Sequence, residues 1–164
     1  TISVAIGQGQ LQVTPLQIAA LTAMVANRGR RVEPHLLLEA GNRQAQARPE
    51  VGGPSPFSRA TFERVIEGMW RSVNDGGTGQ GARVEGLNAC GKTGSTQVVS
   101  RERAEELARA GKPIKTHAWF SGFAPRDNPR IVVTVLVEQG GGGGATAGPL
   151  AGQMFSCWRE ELGR

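Results

Sequence analysis

An α+β fold, in which an antiparallel sheet of at least three strands carries packed helices, follows from three features of the 164-residue sequence. The run Ile131-Val132-Val133-Thr134-Val135-Leu136-Val137 is apolar and mostly β-branched, the composition of a strand buried on both faces and hence central in a sheet. Only Pro125-Arg126-Asp127-Asn128-Pro129 separates it from a second strand-like stretch, so the two form an antiparallel hairpin. Helix-spaced apolar residues between Phe62 and Val73, with an N-cap signature at Thr14-Pro15-Leu16-Gln17, supply the helical layer.

In chain order, Thr14 caps a first helix, Pro15 suits its first position and Gln17 completes a capping box. This helix runs to about Asn27 and is ended by Gly29. Ile18, Ala19, Ala20, Leu21, Ala23, Met24 and Val25 make it apolar on most sides, which predicts a buried helix. Residues 43 to 57 mix Gln, Arg, Gly and Pro without periodicity and read as a surface excursion.

A second helix starts at Ser58, with Phe57 and Phe62 at hydrophobic-staple positions. Phe62, Val65, Ile66, Met69, Trp70 and Val73 form its apolar face, and Asp75-Gly76-Gly77-Thr78-Gly79 stops it. A strand is expected around Lys92 to Val99, then a short exposed insertion helix over residues 101 to 111. Strands at Thr116 to Ala124 and Arg130 to Glu138 follow. A last helix begins at Pro149 with Leu150, Met154, Phe155, Trp158 and Leu162 on one side. The whole chain, 1 to 164, reads as a single domain-sized unit.

Hydrophobic residues make up 38% and charged residues 20%, an ordinary globular balance, while 24 Gly imply many tight turns. The net charge of +5 is spread along the chain with few aromatics among the basic residues, which argues against nucleic-acid binding. Cys90 and Cys157 are too few for a disulfide framework and read as two buried, unpaired thiols. His35 and His117 lack neighbours at metal-ligand spacing, so no metal or other cofactor is expected. No apolar run is long enough to span a bilayer.

Chemistry concentrates at Gly91-Lys92-Thr93-Gly94-Ser95. Gly86 through Thr93 satisfies G-x-x-x-x-G-K-[ST], the phosphate-binding P-loop pattern of an NTPase. That loop needs a buried strand before it and a helix starting at the Lys. The sequence from Gln80 to Glu85 is no buried strand, and Gly94 with Val98 and Val99 opposes a helix. The other reading is the K-T-G motif of serine acyl-transferases that act on penicillins and D-alanyl peptides. It needs a strand edging a cleft. Lys92 then projects a cation, Thr93 and Ser95 offer hydroxyls, and Gly94 leaves the strand surface bare for an extended ligand.

The wider sequence resembles class B penicillin-binding proteins nearly end to end. The segments that carry the resemblance are Ser3 to Gly9 with Val13-Thr14-Pro15-Leu16-Gln17, Ala26-Asn27-Arg28-Gly29, and Pro34-His35-Leu36-Leu37. Gly68-Met69 with Asn74 to Thr78, Gly91 to Gln97, and His117-Ala118-Trp119-Phe120 through Pro125 continue it in the family's order. Glu138 leading into a Gly-rich loop is similar to the cell-elongation type. The resemblance implies the C-terminal portion of a transpeptidase domain, whose sheet has five strands, the last three of them here.

The same resemblance implies D,D-transpeptidation of peptidoglycan stem peptides through an acyl-serine, and acylation by β-lactam antibiotics. Lys92 and Ser95 are the implied catalytic residues, with Thr93, Gly94, Ser95 and Thr96 lining the substrate. No Ser in the chain has Lys three residues on, so the nucleophile of the family's S-x-x-K motif is expected upstream, and this chain alone is expected to be inactive. Ser72-Val73-Asn74 matches the letters of the S-x-N motif, but it falls in the wrong place, at the end of a helix. Further implied partners are the upstream half of the domain and a SEDS-family polymerase of the elongation machinery. The implied setting is periplasmic, with the parent held to the membrane by an upstream helix. A β-lactamase, a β-lactam sensor and a noncatalytic binding module remain open alternatives, and a homodimer of the chain along its apolar strand is a further expectation.

Overall fold

The computed structural model describes residues 11–36, 39–40, 43–44, 55–97, 99, 101–112 and 115–161. Its elements are α1 (Pro15–Ala26), a two-stranded hairpin of β1 (Glu39–Ala40) and β2 (Arg43–Gln44), α2 (Arg59–Asn74), a 3-10 turn (Gln80–Ala82), β3 (Cys90–Thr96), α3 (Arg101–Arg109), β4 (His117–Ala124), β5 (Ile131–Val137), a π turn (Gly143–Ala147) and α4 (Gly148–Glu161). Only the second strand of the hairpin falls in the stretch read as irregular, most of which lies outside the described residues, as do Ser3 to Gly9 and Leu162.

β3, β4 and β5 form one antiparallel sheet in that order, with Lys92 opposite Ser121 and Ser121 opposite Thr134. The apolar β5 is therefore an edge of the described sheet, and β4 is its central strand. α1 and α4 pack on the two faces of β5, which fits its apolar residues on both sides, and the central place read for it is the one the resemblance gives it beside a strand outside this chain. β3 ends at Thr96, short of Val99, because its partner strand begins at His117, opposite Thr96.

Strand alternation divides the core into two layers. On one face Cys90 and Phe123 pack with Ala26 of α1 and Ile66 of α2, flanked by Met69, Trp70 and Val132. On the other, Phe120, Ala118, Ala124 and Val133 pack against Ala147, Ala151 and Phe155. Cys90 is fully buried whereas Cys157 is exposed, so only one of the two thiols expected to be buried is so, and both are free.

The helix ends follow the local chemistry. The Thr14 hydroxyl accepts from the Gln17 N–H at 3.2 Å and Gln17 Oε1 accepts from the Thr14 N–H at 2.8 Å, a complete capping box. At the far end the Gly29 N–H donates to the Met24 carbonyl with φ +100°, and a Cβ there would meet the Phe62 ring. Ser58 caps α2 through the Thr61 N–H, and the rings of Phe57 and Phe62 meet edge to face at 6.4 Å.

Three helix faces differ from the periodicity reading. Leu16 and Leu21 of α1 are more than half exposed, because the sheet covers one side of α1 only. Val65 is exposed at the rim of the α2 face, beside the fully buried Ile66. In α4 the buried face is Gly148, Ala151, Gly152 and Phe155, with Leu150 and Met154 outside. The Gly81 carbonyl lies so close to Gly152 that a Cβ there would collide with it, so this face of α4 takes small residues and the large ones stand outward.

Candidate active-site cleft

Among the described residues β3 pairs along one edge only, with β4. Alternation puts Lys92, Gly94 and Thr96 on the face that also carries His117, Trp119 and Ser121 of β4. These six side-chain positions, with Leu11, Gln12, Val13 and Ile18 from the segment entering α1, line an open cleft of about 550 Å³. Lys92 is the one Lys or Arg among the described lining residues.

Lys92 is exposed, and its Nζ donates to the Thr93 carbonyl at 2.7 Å. Gly94 faces Trp119 across the ladder, and a Cβ on it would stand 3.3 Å from the Trp119 Cβ, a tight but non-colliding approach. The bare surface at Gly94 thus exceeds what internal packing demands. Gly122 is different, since a Cβ there would collide with the Cys90 carbonyl.

Thr93 and Ser95 point away from the Lys92 face yet reach the cleft rim. The Thr93 hydroxyl is 2.7 Å from that of Thr78, in the turn after α2, and the Ser95 hydroxyl accepts from the Gly143 N–H at 3.2 Å. A Cβ on Gly143 would collide with the carbonyls of Gly94 and Trp119, and one on Gly144 with the carbonyl of Thr78. The Gly-rich loop therefore lies backbone-first against the back of β3 and β4. Thr96 stands opposite His117, whose Nδ1 accepts from the Gln139 N–H at 3.0 Å.

The P-loop geometry is not formed. Lys92 sits within a strand and not at a helix start, and residues 85–87 form a turn that brings the Leu87 N–H to the Val84 carbonyl. Ser72 and Asn74 lie in the last turn of α2, and Asn74 donates to the Trp70 and Ala89 carbonyls, so this S-x-N match ties a helix end to the lead-in of β3. Sequence reasoning missed Thr78, Ser121 and Gly143 as neighbours of the motif. The hydroxyl residues gave no signal of their own, because their place depends on strand register and on a turn far away in the chain.

Residues 1–156 match the family described as penicillin binding protein transpeptidase domain. The chain is 38% identical over 168 aligned residues to the peptidoglycan D,D-transpeptidase MrdA of Haemophilus influenzae, covering 96% of this chain and 25% of that protein. It is 37% identical to the MrdA of Acinetobacter baumannii, covering 96% and 24%. Among solved structures, penicillin-binding protein PBP2 of Pseudomonas aeruginosa in complex with WCK 5153 superposes with a TM-score of 0.77 at 31% identity, covering 98% of this chain and 32% of that one. PBP2 of Helicobacter pylori, in complex with MreC, gives 0.75 at 29%, covering 99% and 27%. The chain thus spans about a quarter of the length of these curated relatives. With its three-stranded antiparallel sheet, its helices on both faces and a match over residues 1–156, the chain belongs to the penicillin-binding protein transpeptidase family.

Proposed function

We propose that this chain is the C-terminal part of a peptidoglycan D,D-transpeptidase of the cell-elongation type, and that its β3 forms the anion-binding wall of the active site. The observation that supports this most is the pairing of an exposed Lys92 with a bare Gly94 on one face of an edge strand beside an open cleft. An extended peptide lying along β3 meets backbone groups at Gly94 and a cation at Lys92. The 164 residues hold no S-x-x-K, so the serine comes from another part of the longer protein.

In this mechanism the serine oxygen bonds to the penultimate D-Ala carbonyl carbon, the bond to the terminal D-Ala nitrogen breaks, and that nitrogen leaves as an amine after taking a proton. A stem-peptide amine then attacks the acyl-serine, re-forming an amide and returning the serine its proton. Lys92 stabilises the anionic species and assists proton transfer. Thr93 and Ser95, the latter oriented by the Gly143 N–H, receive the terminal carboxylate with Thr96 beyond them. The Ser95 backbone N–H contributes to the oxyanion hole, where losing one donor costs about 100- to 1,000-fold in turnover. A β-lactam acylates the same serine, with its amide bond opening in place of a departing D-Ala.

The partners that follow are peptidoglycan stem peptides, β-lactams, the remainder of the transpeptidase domain, and a SEDS-family polymerase reached through the parent protein. No helix among the described residues is long and apolar enough to cross a membrane, and we place the chain outside the cytoplasm with any anchor elsewhere in the parent. By itself the chain is inactive. β5, with no Pro or charge from Ile131 to Val137, offers an open edge to a second copy of the chain.

Labelling with a fluorescent penicillin tests the reading. The full-length protein is expected to form the covalent adduct, Lys92→Ala to lose most of it while remaining folded, and the 164-residue chain to form none. Normal labelling of Lys92→Ala would remove Lys92 from the mechanism.

A further inference from the structure

A row of hydroxyls, buried at Thr22 and Ser121 and half-buried at Thr134, crosses the sheet on the Lys92 face. Thr134 of β5, Ser121 of β4 and Lys92 of β3 are successive partners in register. The Ser121 Oγ lies 2.7 Å from Thr134 Oγ1 on one side and 2.7 Å from Thr22 Oγ1 of α1 above it. Thr22 Oγ1 donates to the Ile18 carbonyl at 2.9 Å. Each hydroxyl has one proton and two lone pairs, so the direction of the row is set from its end. Thr22 gives its proton to Ile18 and accepts from Ser121, and Ser121 therefore accepts from Thr134. Its proton and one lone pair are engaged. One lone pair remains.

Ser121 lines the cleft together with Lys92 although it is only 9% exposed. Directly opposed residues on neighbouring antiparallel strands hold their Cβ atoms about 4.5–5.5 Å apart, within the reach of a lysine side chain. Lys92 spends one of three N–H donors on the Thr93 carbonyl. The geometry points to Ser121 as a positioning residue for Lys92: a hydroxyl whose one proton is committed to Thr22, so that toward Lys92 it only accepts, and which holds the ammonium over the floor of the cleft when ligand occupies the rim. The assignment rests on the transpeptidase reading of Lys92.

A hydroxyl free to rotate could turn its proton toward the ammonium, and a locked one cannot. The row also explains why a polar residue stands in the middle of β4, where an apolar one would pack as well against α1. A purely structural Ser121 would tie α1 to the sheet and do no more.

The test uses the full-length protein and a fluorescent penicillin, separating the acylation rate at saturation from the half-saturating concentration. Ser121→Ala and the near-isosteric Ser121→Cys are expected to slow the saturated acylation step about ten- to a hundredfold, the range for a hydrogen bond to a charged group, with little change in half-saturation. Ser121→Thr is expected to restore most of the rate. Thr134→Val, which removes a bond but leaves the Ser121 oxygen in place, is expected to lower the melting temperature and keep the rate. Unchanged rates in Ser121→Cys and Ser121→Ala would overturn the assignment, as would an equal loss in Thr134→Val or no recovery in Ser121→Thr. Lys92→Ala run in parallel separates the two failures. If it labels normally, the reading of Lys92 falls; if it is inactive while the Ser121 variants are normal, only the role of Ser121 falls.

Discussion

The hydroxyls of Thr78 and Thr93 are 2.7 Å apart, so the turn that ends α2 orients a side chain of β3 from behind. Thr78→Val is expected to leave the fold standing, since one exposed hydrogen bond contributes only about 1 kcal/mol. If Thr93 receives the carboxylate as proposed, the expected effect in the full-length protein is a severalfold rise in the penicillin concentration giving half-maximal labelling. An unchanged half-saturation would show that the Thr93 hydroxyl needs no help from the turn.

Two glycines of the sheet separate packing from ligand clearance. Gly122→Ala drives its methyl into the Cys90 carbonyl and is expected to lower the melting temperature steeply or to prevent folding. Gly94→Ala meets only the Trp119 Cβ at 3.3 Å, so a folded protein with weakened penicillin labelling is expected. Thermal unfolding beside a labelling assay reads both, and a Gly94→Ala variant with full labelling would show that the bare surface is not used.

The two thiols should differ in reactivity. Burial pushes the Cys90 thiol up to about 12, while Cys157 is exposed. Only the thiolate reacts, so Cys90 is doubly protected. A thiol reagent at pH 8 is expected to modify one cysteine of the folded chain, Cys157, and both after denaturation. Rapid modification of Cys90 would contradict its burial between Ile66 and Phe123.

Glu67 carries a pH-dependent contribution. Hydrogen bonds from Arg71 at 2.7 Å and Arg126 at 2.7 Å hold its carboxyl below the ordinary glutamate value. A lowered value in the folded state stabilises the fold above the unfolded value, about 4.3, and that stability is lost as pH falls below it. Arg126 also stacks over the Trp70 ring at 5.5 Å, which joins the turn after β4 to α2. Glu67→Gln is therefore expected to lower the melting temperature at pH 7 and to make little difference near pH 3. An equal effect at both would assign the residue a packing role.

What was legible beforehand was whatever local chemistry decides. The Thr14 and Ser58 caps, the Phe57–Phe62 contact and the hairpin into β5 need only neighbours in sequence, and each is present. The candidate motif could be read from the sequence because Lys92, Thr93, Gly94 and Ser95 are contiguous. What failed was the placement of faces. α4 buries Ala151 and Gly152 in preference to Leu150 and Met154 because a distant turn at Gly81 approaches too closely for larger residues, and no periodicity within the helix records that. Ser121 and Thr78 escaped notice for the same reason, since their hydroxyls meet partners 99 and 15 residues away in sequence.

The run from Gly140 to Gly144 looks like a spacer in which any glycine could stand for any other, but its positions are unequal. A side chain at Gly140 would press on Val137, at Gly143 on the β3 and β4 carbonyls, and at Gly144 on Thr78, while Gly141 has φ +81° and Gly142 meets nothing nearer than Ala145 at 4.0 Å. A saturation scan of this loop should therefore return a barcode with tolerance confined to Gly142 and graded strain at Gly141. Drift in natural variants would enter the loop through Gly142 first, because every other door is closed by atoms already in contact or by a dihedral that L-residues resist.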